Sequence, residues 1–567
     1  MKPKRKKFLW RSFITLISLF VLVCLGFFYL LFRATLIPPS PENFSSLNLK
    51  REVIEKDYYR IGNNWIKKNE AGLWEMYVEG KPFERGVVIG KLTKELIKQQ
   101  EDAFVAEIHK IIPSDFYLGF LKYMVGWFNR DIDKFVEKEY LLEIFGESFS
   151  AAPEYSYIGT NYERILNYHA AHDIGHALQE YHFVGCTSFS AWNAKSEDSS
   201  LITGRNFDFY VGDDFAKEKI ICFMNPDKGY KMMTITWGGM LGAISGMNEK
   251  GLTVTMNAAK SNLPSEAATP ISLLTREILQ YSKNINEAFV IAKKRQTFVS
   301  ESIMISSAED NRTAIIEKTP YQTTLFNSDT NYIICTNHYQ SKEFKNDKSN
   351  IENIKESASE YRFKRITELM AKYSKLNLTN TAAILRDRYG LKDQNIGMGN
   401  EKASNQLIAH HSIIFKPKQR IVWVSTSPYQ LGKYVAYDLN KVFSNKNNFK
   451  TKKEITEQDL TIPADSFLQS KEYKDFVMYK KTKAFIKRCS NYKGKVSLKD
   501  SFFENFIALN LEYYDTYIIV GDYYFKSKIY KNARKFYTMA LTKEISTIKE
   551  RNYINEQVSL CNKLEKY

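Results

Sequence analysis

Cysteine is scarce in this chain of 567 residues: only Cys24, Cys186, Cys222, Cys335, Cys489 and Cys561 are present, and their spacing shows no pairing pattern. A disulfide-stapled framework is thereby excluded, and a thiol kept free for chemistry is left open. Acidic residues are in deficit as well, 64 against 81 basic ones, for a formal net charge of +17. Over half of that excess lies from Lys471 onward, where 20 basic residues face 11 acidic ones. Solvated surface lysines and a face suited to anionic lipid are the two readings of that bias, and no nucleic-acid partner is expected. Disorder over most of the length is excluded by a hydrophobic share of 44 % and an aromatic share of 14 %.

One stretch lacks charge altogether. Phe13 to Phe32 is uncharged and apolar, long enough as a helix to cross a hydrocarbon core of about 30 Å. Lys2, Lys4, Arg5, Lys6 and Lys7 precede it, and no basic residue lies between Arg33 and Lys50. The positive-inside bias then places the N-terminus in the cytosol and exports the remainder as a single-pass membrane protein, periplasmic or otherwise extracytoplasmic. No small-x-small exit precedes Arg33-Ala34-Thr35, so the anchor reads as uncleaved. The expected organisation is a cytosolic basic segment at 1–12, a transmembrane anchor at 13–32 and a linker at 33–77 that includes Ile37-Pro38-Pro39-Ser40-Pro41.

Residues 78–185 carry a mainly helical pattern, and after Gly185 the texture changes. Short β-branched or aromatic runs at Leu201–Phe209, Lys231–Trp237, Leu241–Ser245 and Leu252–Ala258 read as antiparallel strands, followed by helical stretches from Pro270 and Asn286. Strands resume at Ser302–Ser306, Thr313–Glu317, Thr323–Phe326 and Tyr332–Thr336, then a helix at Ser357–Lys375 and a hairpin of His411–Phe415 with Arg420–Thr426. The order predicts an α+β domain over 186–440, two antiparallel sheets covered by helices on both outer faces. In 470–567, Gly521, Tyr524, Ala533, Tyr537 and Ala540 have the small and aromatic spacing of one tetratricopeptide-like (TPR-like) helical hairpin. Plain helix packing and a protein or peptide partner are both open for it.

The most informative motif is Gly185-Cys186-Thr187-Ser188, with Gly204-Arg205-Asn206-Phe207-Asp208-Phe209 starting eighteen residues after Cys186. A thiol needs a base before it is a good nucleophile, and an α-amino group with a pKa of roughly 7.7 to 8.0 is well placed for that near neutral pH. Only a first residue has that amine, so the reading requires the Gly185-Cys186 bond to be cut, most economically by the same thiol. Gly185 suits the cut, because without a Cβ it lets the sulfur approach. A buried, inert cysteine at a strand start is the bland alternative.

Further motifs follow in order: Gly-Met-Asn-Glu-Lys-Gly-Leu at 246–252, Thr-Met-Asn at 255–257, Cys-Thr-Asn-His at 335–338 and Tyr-Arg-Phe-Lys-Arg at 361–365. Together with the first two, they resemble the isopenicillin-N acyltransferase-like autoproteolytic cysteine acyltransferases and hydrolases. These are N-terminal-nucleophile (Ntn) enzymes related to bile-salt hydrolases and penicillin V acylases. The resemblance spans about Lys81 to Leu439 and implies a four-layer αββα Ntn-hydrolase sandwich with autocleavage between Gly185 and Cys186. It implies Cys186 as nucleophile and, through its freed amine, base. Arg205 would lie beside the sulfur, Asp208 would hold the new ammonium, Asn257 and Asn337 would donate to the acyl oxyanion, and Arg362 would complete the polar floor. A strand-end ion pair for Arg205 and Asp208, turn roles for the two asparagines, and Arg365 in place of Arg362 are the alternatives. About 185 residues precede the cysteine, as in the acyltransferase branch, which carries a propeptide.

The implied activity is cleavage or transfer of an acyl group from a linear amide or thioester, with a small-molecule acyl donor, an amine acceptor or water, and no cofactor. Two other readings stand beside it. His169, His172, Asp173 and His176 fall near one helix face, which allows a metal-dependent hydrolase. The third reading is a non-catalytic envelope scaffold that binds a partner through 470–567. His410-His411 reads as core and turn chemistry.

Overall fold

The structure, a computed structural model, describes residues 2–111, 114–178, 185–209, 214–260, 267–444, 454–492 and 497–565. Its strands are β1 (Glu52–Glu55), β2 (Tyr58–Ile61), β3 (Asn64–Lys68), β4 (Trp74–Gly80), β5 (Thr187–Ala191), β6 (Ile202–Phe207), β7 (Ile220–Pro226), β8 (Met232–Thr236) and β9 (Ser245–Asn248). They continue with β10 (Leu252–Ala258), β11 (Glu301–Ser307), β12 (Arg312–Lys318), β13 (Thr323–Asn327), β14 (Tyr332–Cys335), β15 (His411–Lys416), β16 (Ile421–Ser425) and β17 (Tyr434–Asp438). An 11-stranded sheet has the order β1-β2-β3-β4-β7-β8-β9-β10-β11-β12-β13, and a 6-stranded sheet the order β14-β5-β6-β15-β16-β17. Neighbours pair antiparallel except β4 with β7, which run parallel.

Strand alternation shows how the layers form. In β7, Ile220, Cys222 and Met224 join a core with the helices Pro82–Leu92, Lys138–Ser148, Asn161–Leu178 and Ile271–Tyr281. The intervening Ile221 and Phe223 point the other way, into a core with Ile413 and Phe415 of β15 and Val422 and Val424 of β16. The outer face of the smaller sheet is covered by the helices Ser359–Lys372 and Leu378–Leu385 through Ile366, Leu369, Ile384 and Leu385. The result is helices, sheet, sheet, helices. Between the sheets, Ser190, Thr203, Ser306 and Thr313 join their hydroxyls in a closed ring with separations of 2.7 to 2.9 Å. Each buried hydroxyl is thereby satisfied, which removes the cost of burying it.

Three expectations change. Among the described residues no helix is long and apolar enough to cross a membrane, which overturns the transmembrane anchor at 13–32, the single-pass topology and the exported catalytic region. The uncharged stretch is one part of a longer helix, Lys2–Ala34, that takes in the basic residues ahead of it and packs along the helix Asp115–Phe128. Much of the segment 33–77, expected as a linker, is β1, β2, β3 and the start of β4, which extend the larger sheet. The expected strand Leu241–Ser245 begins only at Ser245, because Gly242 is pressed against Ser272, where a Cβ would meet Oγ at 2.5 Å.

The C-terminal helices Lys471–Asn491, Asp500–Ala508, Tyr514–Lys526, Tyr530–Leu541 and Ile548–Leu564 share one apolar core, which also takes in Leu407 and Leu431 of the preceding region. They grip the loop around Gly397, whose φ of +81° suits glycine and where a Cβ would lie 2.4 Å from the Tyr513 backbone. Asn510 clamps the same loop, accepting from Met398 N at 3.0 Å and donating to Met398 O at 2.8 Å.

Candidate active site

Register places the first two motifs side by side. β5 pairs with β6 so that Ser188 faces Arg205 and Thr187 faces Asn206. Cys186 stands one residue before β5 and Asp208 one residue after β6, and Gly185 N donates to Asp208 O at 3.0 Å. Cys186, Arg205, Asp208 and Asn257 are fully buried, and Asn337 and Arg362 nearly so.

Arg205 fans its donors over the sulfur and the neighbouring strands. Nη2 reaches Cys186 Sγ at 3.9 Å and also donates to Met256 O, while Nη1 donates to Ile244 O at 3.1 Å and to Ser245 Oγ. Ser245 Oγ is also 2.8 Å from His411 Nε2, so a buried histidine braces the arginine from behind. Burial pushes the Cys186 thiol up to about 11, against the opposing pull of the Arg205 guanidinium. In the uncut chain the thiol is therefore protonated at neutral pH.

Asp208 is the unusual member. Neither of its carboxylate oxygens has a hydrogen-bond partner among the described residues. Burial raises its pKa to about 8, opposed by Arg362 and Arg205. The strand-end ion pair between Arg205 and Asp208 is not what forms.

The two asparagines differ in what they hold. Asn257 Nδ2 points at two carbonyls, Cys335 O at 2.9 Å and Thr336 O at 3.3 Å, and its Oδ1 accepts from Ser188 Oγ at 3.0 Å. Asn337 Nδ2 donates to Ala258 O at 3.0 Å and its Oδ1 accepts from Arg362 Nη2. An amide nitrogen has two protons, so Asn337 keeps one beyond the Ala258 bond. Arg362 also donates to Glu401 O at 2.7 Å, whereas Arg365, one helical turn on, turns away to Asp387 and Asp393. The helix phase thus selects Arg362 over Arg365 for this cluster.

Reasoning from the sequence missed Gln406. It is buried, and its Nε2 donates to Gly185 O at 2.6 Å. Ser245 was missed as well; His411, expected in the core, is buried there, and only the β9 and β15 positions in the fold reveal that it meets Ser245 behind the arginine.

The histidine face resolves differently. His169 is buried with both ring nitrogens engaged: Nδ1 is 2.8 Å from Ile165 O, and Nε2 accepts from Leu241 N at 2.9 Å. Burial lowers its pKa to about 4. The side chains of His172, Asp173 and His176 lie outside the described residues. Among the described residues no group of three His, Cys, Asp or Glu side chains is placed to hold a metal ion.

Several known proteins are similar to parts of this chain. An uncharacterized protein of Archaeoglobus fulgidus is 23% identical over 237 residues, 39% of this chain and 39% of its own length. Protein dcd1A of Dictyostelium discoideum is 24% identical over 250 residues, 41% of this chain and 54% of its own length. The chain thus spans about half or less of these relatives. Among solved structures, a Caenorhabditis elegans ortholog of N-acylethanolamine-hydrolyzing acid amidase aligns at 16% identity with a TM-score of 0.30, over 43% of this chain and 96% of its own. A mutant conjugated bile acid hydrolase from Clostridium perfringens gives 13% and 0.31, over 48% of this chain and 96% of its own. Penicillin V acylase from Agrobacterium tumefaciens gives 13% and 0.30, over 45% and 87%. Residues 192–427, which hold Arg205, Asp208, Asn257, Asn337, Arg362 and Gln406 and begin six residues after Cys186, match the model of one family. That family is acyl-coenzyme A:6-aminopenicillanic acid acyl-transferase, and it is this segment of the chain that is similar to it.

Proposed function

We propose that the chain is an N-terminal-nucleophile cysteine enzyme that cuts itself between Gly185 and Cys186 and then takes an acyl group from a linear amide or thioester onto Cys186, passing it to water or an amine. The observation that carries this reading is the buried Asp208 carboxyl, without a hydrogen-bond partner among the described residues, on a residue whose backbone carbonyl accepts from Gly185 N and whose charge is felt by the Cys186 thiol. A buried carboxyl with no partner is costly, and a cut that frees an ammonium on Cys186 would supply the missing donor. Before the cut, burial keeps that carboxyl mainly protonated at neutral pH, and the new ammonium would favour its ionised form.

After the cut, the α-amine of Cys186 would serve as base, with Asp208 orienting it and Arg205 holding the thiolate. Attack on an acyl carbon puts negative charge on its oxygen, and the spare proton of Asn337 Nδ2 would meet that charge, with Arg362 fixing the amide by holding Oδ1. The acyl-Cys186 thioester then leaves to the acceptor.

N-terminal sequencing of the purified protein tests the reading. A fragment beginning Cys-Thr-Ser-Phe is expected, with Cys186→Ala abolishing both that fragment and the turnover of a chromogenic amide. An active wild-type chain that remains whole at this bond refutes it.

A further inference from the structure

The geometry points to Gln406 as a catalytic residue of the self-cutting step, donating from its side-chain amide to the oxygen of the scissile Gly185 carbonyl. The inference rests on the proposed reading that this bond is cut, and it assigns that cut a donor separate from the asparagines suggested for turnover.

Gly185 O is the atom that becomes an oxyanion when Cys186 Sγ adds to the carbonyl carbon, so a donor already at 2.6 Å is in range to stabilise it as charge develops. The donor is buried, which strengthens its effect by keeping water away. It is also held in place by its surroundings. Ser404 O accepts from Asn206 Nδ2 at 2.9 Å, Asn405 N donates to Asp387 O at 2.8 Å, and Asn405 Oδ1 accepts from Leu407 N at 3.0 Å. Asn206 lies between Arg205 and Phe207 on β6, so one strand supports both the sulfur's arginine and the loop that carries Gln406.

Gly185 gains a second requirement from the same contact. A Cβ there would lie 2.3 Å from Gln406 Nε2 and 2.5 Å from its Oε1. Any other residue ahead of the cysteine displaces the donor from the carbonyl it serves.

The step balances as follows. Sγ forms a bond to the Gly185 carbonyl carbon, the carbon-nitrogen bond breaks, and the thiol proton ends on the departing Cys186 nitrogen. Water then hydrolyses the resulting thioester, which leaves a Gly185 carboxylate, a free Cys186 thiol and a free α-amine. Gln406 supplies no atom to the products; it lowers the barrier to addition.

The test follows the appearance of the Cys186-initiated fragment in freshly translated full-length protein. Gln406→Met, which preserves volume but removes the donor, is expected to slow cleavage by roughly 100-fold or more, the usual effect of deleting an oxyanion donor. Hydroxylamine, which cleaves accumulated thioester, should not restore the rate, because addition itself is slowed. Gly185→Ala should slow cleavage alone and add little in a Gln406→Ala background, since the two changes act through one contact. Circular dichroism and melting temperatures near wild type confirm that the variants fold, and a misfolded Gln406→Ala leaves Gln406→Met to decide. Wild-type cleavage with an unchanged rate in Gln406→Met overturns the inference and leaves the proposed function standing. A wild-type chain that never cleaves overturns both.

Discussion

Arg205 and Cys186 meet through a single guanidinium nitrogen, Nη2, at 3.9 Å from Sγ; Nη2 also donates to Met256 O, and Nη1 is anchored to Ile244 O and Ser245 Oγ. A cation at this distance favours the thiolate, and opposite charges at such range commonly move a pKa by about one to three units. Arg205→Leu is therefore expected to shift the pH profile of Cys186 alkylation upward by at least about one unit. Arg205→Lys should recover only part of that shift, because lysine cannot keep the other anchors. Superimposable profiles for wild type and Arg205→Leu count against the thiolate-holding role.

Asp208 gives a prediction about stability. Its native pKa of about 8 lies above the ordinary 3.8, so between those values the folded chain binds a proton that the unfolded chain releases. Its contribution is fully present below the lower value and is lost as pH rises through the upper one. In a Cys186→Ala background that cannot cut, Asp208→Asn should gain melting temperature relative to its parent as pH rises from 5 to 8. A difference that stays constant with pH contradicts the buried, protonated carboxyl.

The unequal asparagines predict unequal losses. Asn337→Ala removes the amide with a proton to spare and is expected to lower turnover by roughly 100-fold to 1,000-fold. Asn257→Ala removes an amide that already serves two carbonyls and the Ser188 hydroxyl. Its effect should appear largely as lost stability, in urea unfolding, with a smaller fall in kcat. The reverse ranking in kcat would assign the oxyanion contact to Asn257.

His169 is expected to behave as a structural histidine. His169→Ala leaves Leu241 N–H without its acceptor, which costs about 1–3 kcal/mol in a buried site. Its native pKa of about 4 lies below the ordinary 6.5, so stability from this group is lost as pH falls through that interval. Chelators should change neither the melting temperature nor the turnover; a chelator-sensitive wild type would return the metal reading to favour.

Much of this site can be read from the sequence because its parts sit at strand ends inside short motifs. Cys186 precedes β5, Asp208 follows β6, and Asn257 lies near the end of β10, so local motif order carries spatial order. Arg362 and Arg365 are not separable without the helix phase that sends one to Asn337 and the other to Asp387. Gln406 has no motif, and only tertiary folding brings its loop to Gly185, 221 residues away. The strands at 52–80 carried an overlooked signal in Gly62-Asn63, the two-residue turn between paired Ile61 and Asn64. The apolar run at 13–32 misled because hydrophobic length alone does not fix where a helix ends or what lies alongside it.

The parallel pairing of β4 with β7 joins residues from before and after the proposed cut within one continuous sheet. Scission at Gly185 would turn a folding problem solved by one molecule into one that needs two. The mature protein should migrate as two bands under denaturing conditions and as one particle otherwise. Once denatured, it should regain activity only at a rate and yield that rise with concentration. The intact precursor should recover independently of dilution, so the cut would also act as a one-way door in the life of the molecule.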